Sequence, residues 1–158
     1  MTPAPSPFIQ SLLQRNFVSA LPTATIGSII DLLKEHRIGA VVITDGEGRL
    51  AGILSERDIV RALPGRDDLL DDVASSIMTS EVITTGVEAT SSELMQAMTE
   101  NRIRHIPILD GERIIGIVSI GDVVKRLLEK YEIEARHLKE FIYSLSLIHI
   151  SEPTRPFH

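Results

Sequence analysis

The chain repeats itself: Gly52-Ile53-Leu54-Ser55-Glu56-Arg57-Asp58-Ile59-Val60 returns as Gly116-Ile117-Val118-Ser119-Ile120-Gly121-Asp122-Val123-Val124, at an offset of 64 residues. A unit of that length buries too little surface to be stable alone, so two copies packed together are the expected folding object. Upstream the copies still match, now at 65 residues: Thr25 with Thr90, Arg37-Ile38 with Arg102-Ile103, and Asp45-Gly46 with Asp110-Gly111. The offset changes between Gly46-Glu47-Gly48-Arg49 and Gly111-Glu112-Arg113. There an extra residue lengthens a turn without moving any strand side chain to the wrong face.

Each copy carries the same succession of patterns. Ile26, Ile29, Ile30 and Leu33 recur at helical spacing behind Thr25 as N-cap, and Leu94, Met95, Ala97 and Met98 recur behind Thr90 or Ser91. Strands are expected at 40–43 and 105–109, each followed by an Asp-Gly turn and a second β-rich run, at 50–54 and 114–118. That is a hairpin signal. Ser55 and Ser119 stand where they can cap the helix that follows. A short strand near 17–19, with a counterpart near 81–84, completes each copy as β-α-β-β-α. The fold class read from this is α/β (α+β): two β-α-β-β-α units in pseudo-two-fold tandem, followed by a C-terminal helix. The expected divisions are a disordered start at 1–7, unit one at 8–66, a connector at 67–72, unit two at 73–128 and a helix at 129–144. Val124, Leu127, Leu128, Tyr131 and Ile133 give that last helix an apolar stripe in need of a partner.

Residues 145–156, Leu-Ser-Leu-Ile-His-Ile-Ser-Glu-Pro-Thr-Arg-Pro, resemble a translation of the transposon adapter used in sequencing libraries. The segment 145–158 is therefore expected to be a non-native tail, and His149 is no ligand candidate. With 43% hydrophobic and 24% charged residues among 158, most of the chain has the composition of an ordered domain. Apolar stretches such as 40–43 are far shorter than the roughly 20 residues of a membrane span, and a cytoplasmic protein with no membrane contact is expected. The absence of cysteine excludes disulfides, thiol catalysis and cysteine zinc sites. A net charge of −6 disfavours a broad nucleic-acid footprint but leaves room for a local basic pocket.

The twice-occurring Gly-Ile-Leu/Val-Ser-x-x-Asp, together with Arg102-Ile103-Arg104-His105-Ile106-Pro107-Ile108 leading into the second hairpin, resembles a pair of cystathionine-beta-synthase (CBS) domains, or Bateman module. The likeness runs from about 17 to 126, and the runs 55–61 and 118–125 with the 132–142 tail look like the small stand-alone bacterial CBS-pair proteins. The resemblance implies a regulatory sensor without catalysis. Its clefts would take adenine nucleotides, AMP first, then ADP or ATP, and sometimes NADH or S-adenosylmethionine, and it would signal to a regulated partner by changing conformation. It also implies that the motif aspartates, Asp58 and Asp122, take ribose hydroxyls, while Ser55 and Ser119, with helix-start amides, face phosphate.

The residue types fit that chemistry. A carboxylate accepts hydrogen bonds from both hydroxyls of a vicinal diol, and unpaired amides beside a hydroxyl suit an anion. Copy two has Arg104 and His105 where copy one has Gly39 and Ala40, so a stronger phosphate-binding cleft is expected around Arg104, His105 and their strand neighbours Ile106 and Pro107. Copy one offers Arg57 and Arg61 on its helix instead. No catalytic or metal-ligating residue is expected. The plainer readings are helix-start charge pairing for the aspartates, solvated positions for Arg102 and Arg104, a core-edge position for His105, and packing for Met95 and Met98. At the level of function, the alternatives are a ligand-independent dimerisation or partner-binding scaffold and a regulatory fragment of a larger enzyme such as inosine monophosphate dehydrogenase. A homodimer associating through helices is expected in the leading reading.

Overall fold

The computed structural model describes residues 3–148, with the side chains of 147 and 148 excluded; residues 149–158, most of the expected tail, lie outside it. Helix α1 (Pro7–Leu13) precedes unit one, which comprises β1 (Ser19–Ala20), α2 (Ile26–His36), β2 (Ala40–Thr44), β3 (Leu50–Ser55) and α3 (Glu56–Ala62). Two 3-10 turns, Leu69–Asp71 and Ala74–Ser76, lead to α4 (Ser91–Asn101), β4 (His105–Asp110), β5 (Arg113–Ser119) and α5 (Ile120–Ile148). The mixed α+β tandem expected from the repeat is what forms.

Register explains the two offsets. In unit one Thr44 pairs with Leu50 across Asp45 to Arg49; in unit two Leu109 pairs with Ile114, and Asp110 with Arg113, so the second turn is one residue tighter. Asp45 shapes the longer turn by accepting from the Glu47 and Arg49 amides at 2.8 and 2.9 Å. In the shorter turn Gly111 takes φ +63°, a backbone that L side chains adopt at a cost.

The first strand of each unit was expected in both copies but forms fully in one. β1 runs parallel to β2, Ala20 opposite Ile43, and the Val42 amide donates to the Val18 carbonyl at 3.3 Å. The counterpart of Val42 is Pro107, which has no N–H to donate, and the expected strand at 81–84 shrinks to a bridge between Thr85 and Ile108. Two bonds hold that bridge, Thr85 amide to Pro107 carbonyl at 3.0 Å and Leu109 amide to Thr85 carbonyl at 2.8 Å.

Packing crosses the sequence divisions at both ends. The start was expected to be disordered, yet Ser6 caps α1 by accepting from the Ile9 amide at 3.2 Å, with Pro7 at the first helical position where its missing N–H costs nothing. Ser6 also donates to unit two, from its amide to Val87 and from its hydroxyl to Ala89. Phe8, Ile9 and Leu12 of α1 thus lie in the core of unit two with Val87, Leu94, Met98, Ile106, Ile108, Val118 and Val123. The exchange is reciprocal: Leu69, Ala74, Ile77 and Met78, from the connector and the start of the second repeat, pack into the core of unit one with Ile26, Ile29, Val41, Ile43 and Leu54. Ser6, Pro7 and the spacing of Phe8, Ile9 and Leu12 were a legible helix signal; the core they join was not.

The C-terminal helix is continuous with the helix of unit two. Val123 is buried and Leu127 packs against the core, but from Leu128 to Ser146 every residue except the half-buried Ala135 is exposed.

Candidate functional site

Each Ser-x-x-Asp motif closes a capping box. Ser55 donates from its amide and hydroxyl to Asp58 Oδ2 at 2.9 and 3.0 Å, and the Asp58 amide donates back to Ser55 Oγ at 3.3 Å. Ser119 and Asp122 repeat this at 2.8, 3.0 and 3.2 Å. The first helical amide is also taken, Glu56 N by the Gly39 carbonyl at 2.9 Å and Ile120 N by the Arg104 carbonyl at 2.8 Å. The serines, expected to face phosphate, thus hold an aspartate, and the first and third helical amides are already bonded to a carbonyl and to the serine hydroxyl.

Charged side chains converge from both units. A cleft of about 310 Å³ between the units is lined by Ser55, Arg57, Asp58 and Arg61 from one side and by Arg102, Arg104 and His105 from the other. The sequence placed Arg104 and His105 beside the second hairpin; in the fold Arg104 lines the same cleft as Asp58 of the other repeat. Ile53, Val82, Ile83, Ile103 and Ile120 supply apolar wall, and Glu56 and Glu81 are the other acids of the rim. Among the described residues Asp58 Oδ1 meets only the Thr79 hydroxyl, at 3.4 Å.

Ile106 and Pro107 are buried and line neither cleft, so these two candidates belong to the interior. Arg102, weighed as a solvated charge, does line the cleft, and Arg15 and Thr79 were missed because their partners are distant in sequence.

A second cleft, about 520 Å³, lies on the pseudo-equivalent side and is lined by Arg15, Phe17, Arg37, Ala40, His105 and Ser119 among others. Behind its lining residues Arg15 and Ser119, the motif aspartate Asp122 is already paired. Arg15 donates to Asp122 Oδ1 at 2.8 Å and with its other terminal nitrogen to Oδ2, and reaches the Ile117 carbonyl at 3.3 Å. Burial pushes the Asp122 carboxyl up, but the Arg15 hydrogen bonds and the Ser119 amide outweigh it and hold it below the usual range.

His105 borders both clefts. Its ring rests on Gly39, where a Cβ would stand 3.2 Å from Cε1 and 3.3 Å from Nε2. Burial lowers its pKa, with Arg104 adding to the lowering and Glu56 and Asp122 opposing it. With that lowering the ring takes up a proton only at a lower pH than a free imidazole does. Because the folded pKa lies below the unfolded value of about 6.5, the folded state resists protonation, and stability is lost as pH falls from there through the folded value. His105→Gln is expected to flatten the stability profile just below about pH 6.5 in chemical denaturation; equal slopes for both proteins would refute it.

Comparison with known proteins decides the family. A family model described as CBS domain matches residues 9–65 and again 73–129. The chain is a tandem CBS-domain protein. It is 40% identical over 124 residues to the mitochondrial CBS domain-containing protein CBSX3 of Arabidopsis thaliana, a match covering 75% of this chain and 60% of that one. Among solved structures, a CBS-domain-containing protein of Agrobacterium tumefaciens superposes with a TM-score of 0.68 at 42% identity, over 71% of this chain and 90% of that one. The CBS domain pair of MJ0100, in complex with 5′-methylthioadenosine and S-adenosyl-L-methionine, gives 0.70 at 26%, over 77% and 96%. A Pyrobaculum aerophilum CBS domain protein complexed with AMP gives 0.66 at 33%, over 72% and 88%. The chain is thus similar to CBS pairs that bind adenosine-containing ligands. Among the described residues no helix is long and apolar enough to cross a membrane.

Proposed function

We propose that this CBS pair is a regulatory module that binds an adenine nucleotide, AMP first, in the cleft at Asp58. The observation carrying the reading is the meeting in one cleft of a carboxylate, held by its capping box with Oδ1 outward, and the arginines Arg57, Arg61, Arg102 and Arg104. Asp58 takes the ribose hydroxyls, the arginines take phosphate bidentately, and the aliphatic wall covers the base. Adenosine-containing ligands in the structures of two similar CBS pairs support the choice. Since residues of both units line the cleft, a ligand favouring one arrangement of the units shifts its population by the difference in affinity, and a partner reads the shift. Titration calorimetry with AMP, ATP, NADH and S-adenosylmethionine tests the reading, and AMP is expected to bind tightest.

A second copy of the chain is the natural occupant of the α5 stripe. Val124, Leu128, Tyr131, Leu138, Ile142 and Leu145 are exposed, with Ala135 in the same alternating three-and-four register. Glu132 and Lys139 flank the stripe one heptad apart, so antiparallel pairing sets each against the opposite charge of the other copy. Sedimentation is expected to give a dimer that Leu138→Glu converts to monomer; a monomeric parent protein would remove the inference. The same stripe is what a ligand-independent scaffold would use, and the titration separates the two readings.

A further inference from the structure

The two clefts are related by the repeat, and they differ at the motif aspartate. Opposite each motif aspartate stands a residue from the segment running into the neighbouring unit. At Asp58 it is Thr79, a neutral hydroxyl at 3.4 Å; at Asp122 it is Arg15, a guanidinium bonded to both carboxylate oxygens. Arg15 sits two residues beyond α1, whose apolar face is locked in the core of unit two, so its position is set by packing rather than by chance contact.

We propose that Arg15 is an internal occupant of the second cleft that keeps the protein to one nucleotide per chain. The proposal rests on the reading of Asp58 as the nucleotide acceptor. Space is not what closes the second cleft, because at about 520 Å³ it is the larger of the two. The acceptor is what is missing. A ribose diol offers two neutral O–H donors, whereas Arg15 already supplies two charge-assisted bonds in the favoured fork geometry. The Asp122 side chain is only 16% exposed, so water competes weakly for it, although the half-exposed Arg15 tempers the strength of the pair. The cleft also holds fewer cations suited to phosphate: Gly121 stands where unit one has Arg57, and Gly39 where unit two has Arg104. Arg37, the counterpart of Arg102, remains to bind phosphate once the aspartate is free.

The test is the stoichiometry of AMP binding by titration calorimetry. The protein is expected to bind one AMP, Arg15→Ala to bind two with the second weaker, Asp58→Asn to bind none measurably, and the double variant Arg15→Ala/Asp58→Asn to regain one. One AMP by the protein and one by Arg15→Ala overturns this proposal while leaving the Asp58 reading intact. Two AMP per chain in the unaltered protein also overturns it, whatever the folding of the variants. No binding by either the protein or Arg15→Ala removes the Asp58 reading and this one with it. Arg15→Met, which keeps the apolar stem of the side chain, serves if the alanine variant fails to fold, with the same outcomes expected.

Discussion

Asp58→Asn is expected to weaken AMP binding by about two orders of magnitude while leaving the protein folded. The carboxylate divides its labour: Oδ2 completes the capping box with Ser55, and Oδ1 faces the cleft. Asparagine keeps one carbonyl oxygen for the box but turns the outward acceptor into an NH₂ group and removes the charge. Two hydrogen bonds to a charged acceptor, at about 1.5 kcal/mol each, are lost from the complex, and about 3 kcal/mol is roughly a 100-fold change in dissociation constant. Titration of the folded variant, checked by circular dichroism, measures it. A change below about threefold would mean that the ribose does not sit on Asp58.

Ile9→Ala is expected to destabilise the fold by about 2 to 5 kcal/mol, the range for deleting a fully buried Leu or Ile side chain. Ile9 is 0% exposed and belongs to the core of unit two although it precedes unit one in sequence. The change opens a cavity beneath β5 and loosens the element that positions Arg15. Denaturant unfolding should therefore show a large loss, with its midpoint far below that of the parent. Were the loss under about 0.5 kcal/mol, α1 would be a peripheral helix and its place in the core would be wrong.

What could be read from the chain and what could not divide along a physical line. Local chemistry was legible. The hairpin turns, the Thr25 and Thr90 caps and the Ser-x-x-Asp boxes depend on residues within a few positions of one another, and the Asp-Gly turns correctly located the shift in offset. Pro107 carried a warning that its strand partner could not form fully, since a proline in the ladder lacks the amide that Val42 uses. Contacts between units were not legible. Arg15 meets Asp122 across 107 residues, and Arg104 shares a cleft with the motif aspartate of the other repeat. No periodicity encodes which cleft a strand-end side chain enters. The repeat therefore offered residue types while leaving open which cleft Arg104 enters. It also left Ile106 and Pro107 among the ligand contacts, when β4 is buried on both faces there and their side chains belong to the interior. Ser55 and Ser119 show a further limit: a hydroxyl at a helix start serves a ligand or the helix itself, and only the hydrogen-bond geometry distinguishes these.

The central claim, one adenine nucleotide per chain at Asp58, is tested most directly by native mass spectrometry of the purified protein with added AMP. The predicted result is a saturating mass increase of one AMP per chain, absent from Asp58→Asn. A chain that takes up no AMP, and whose mass is equally unmoved by millimolar ATP, NADH or S-adenosylmethionine, would contradict it.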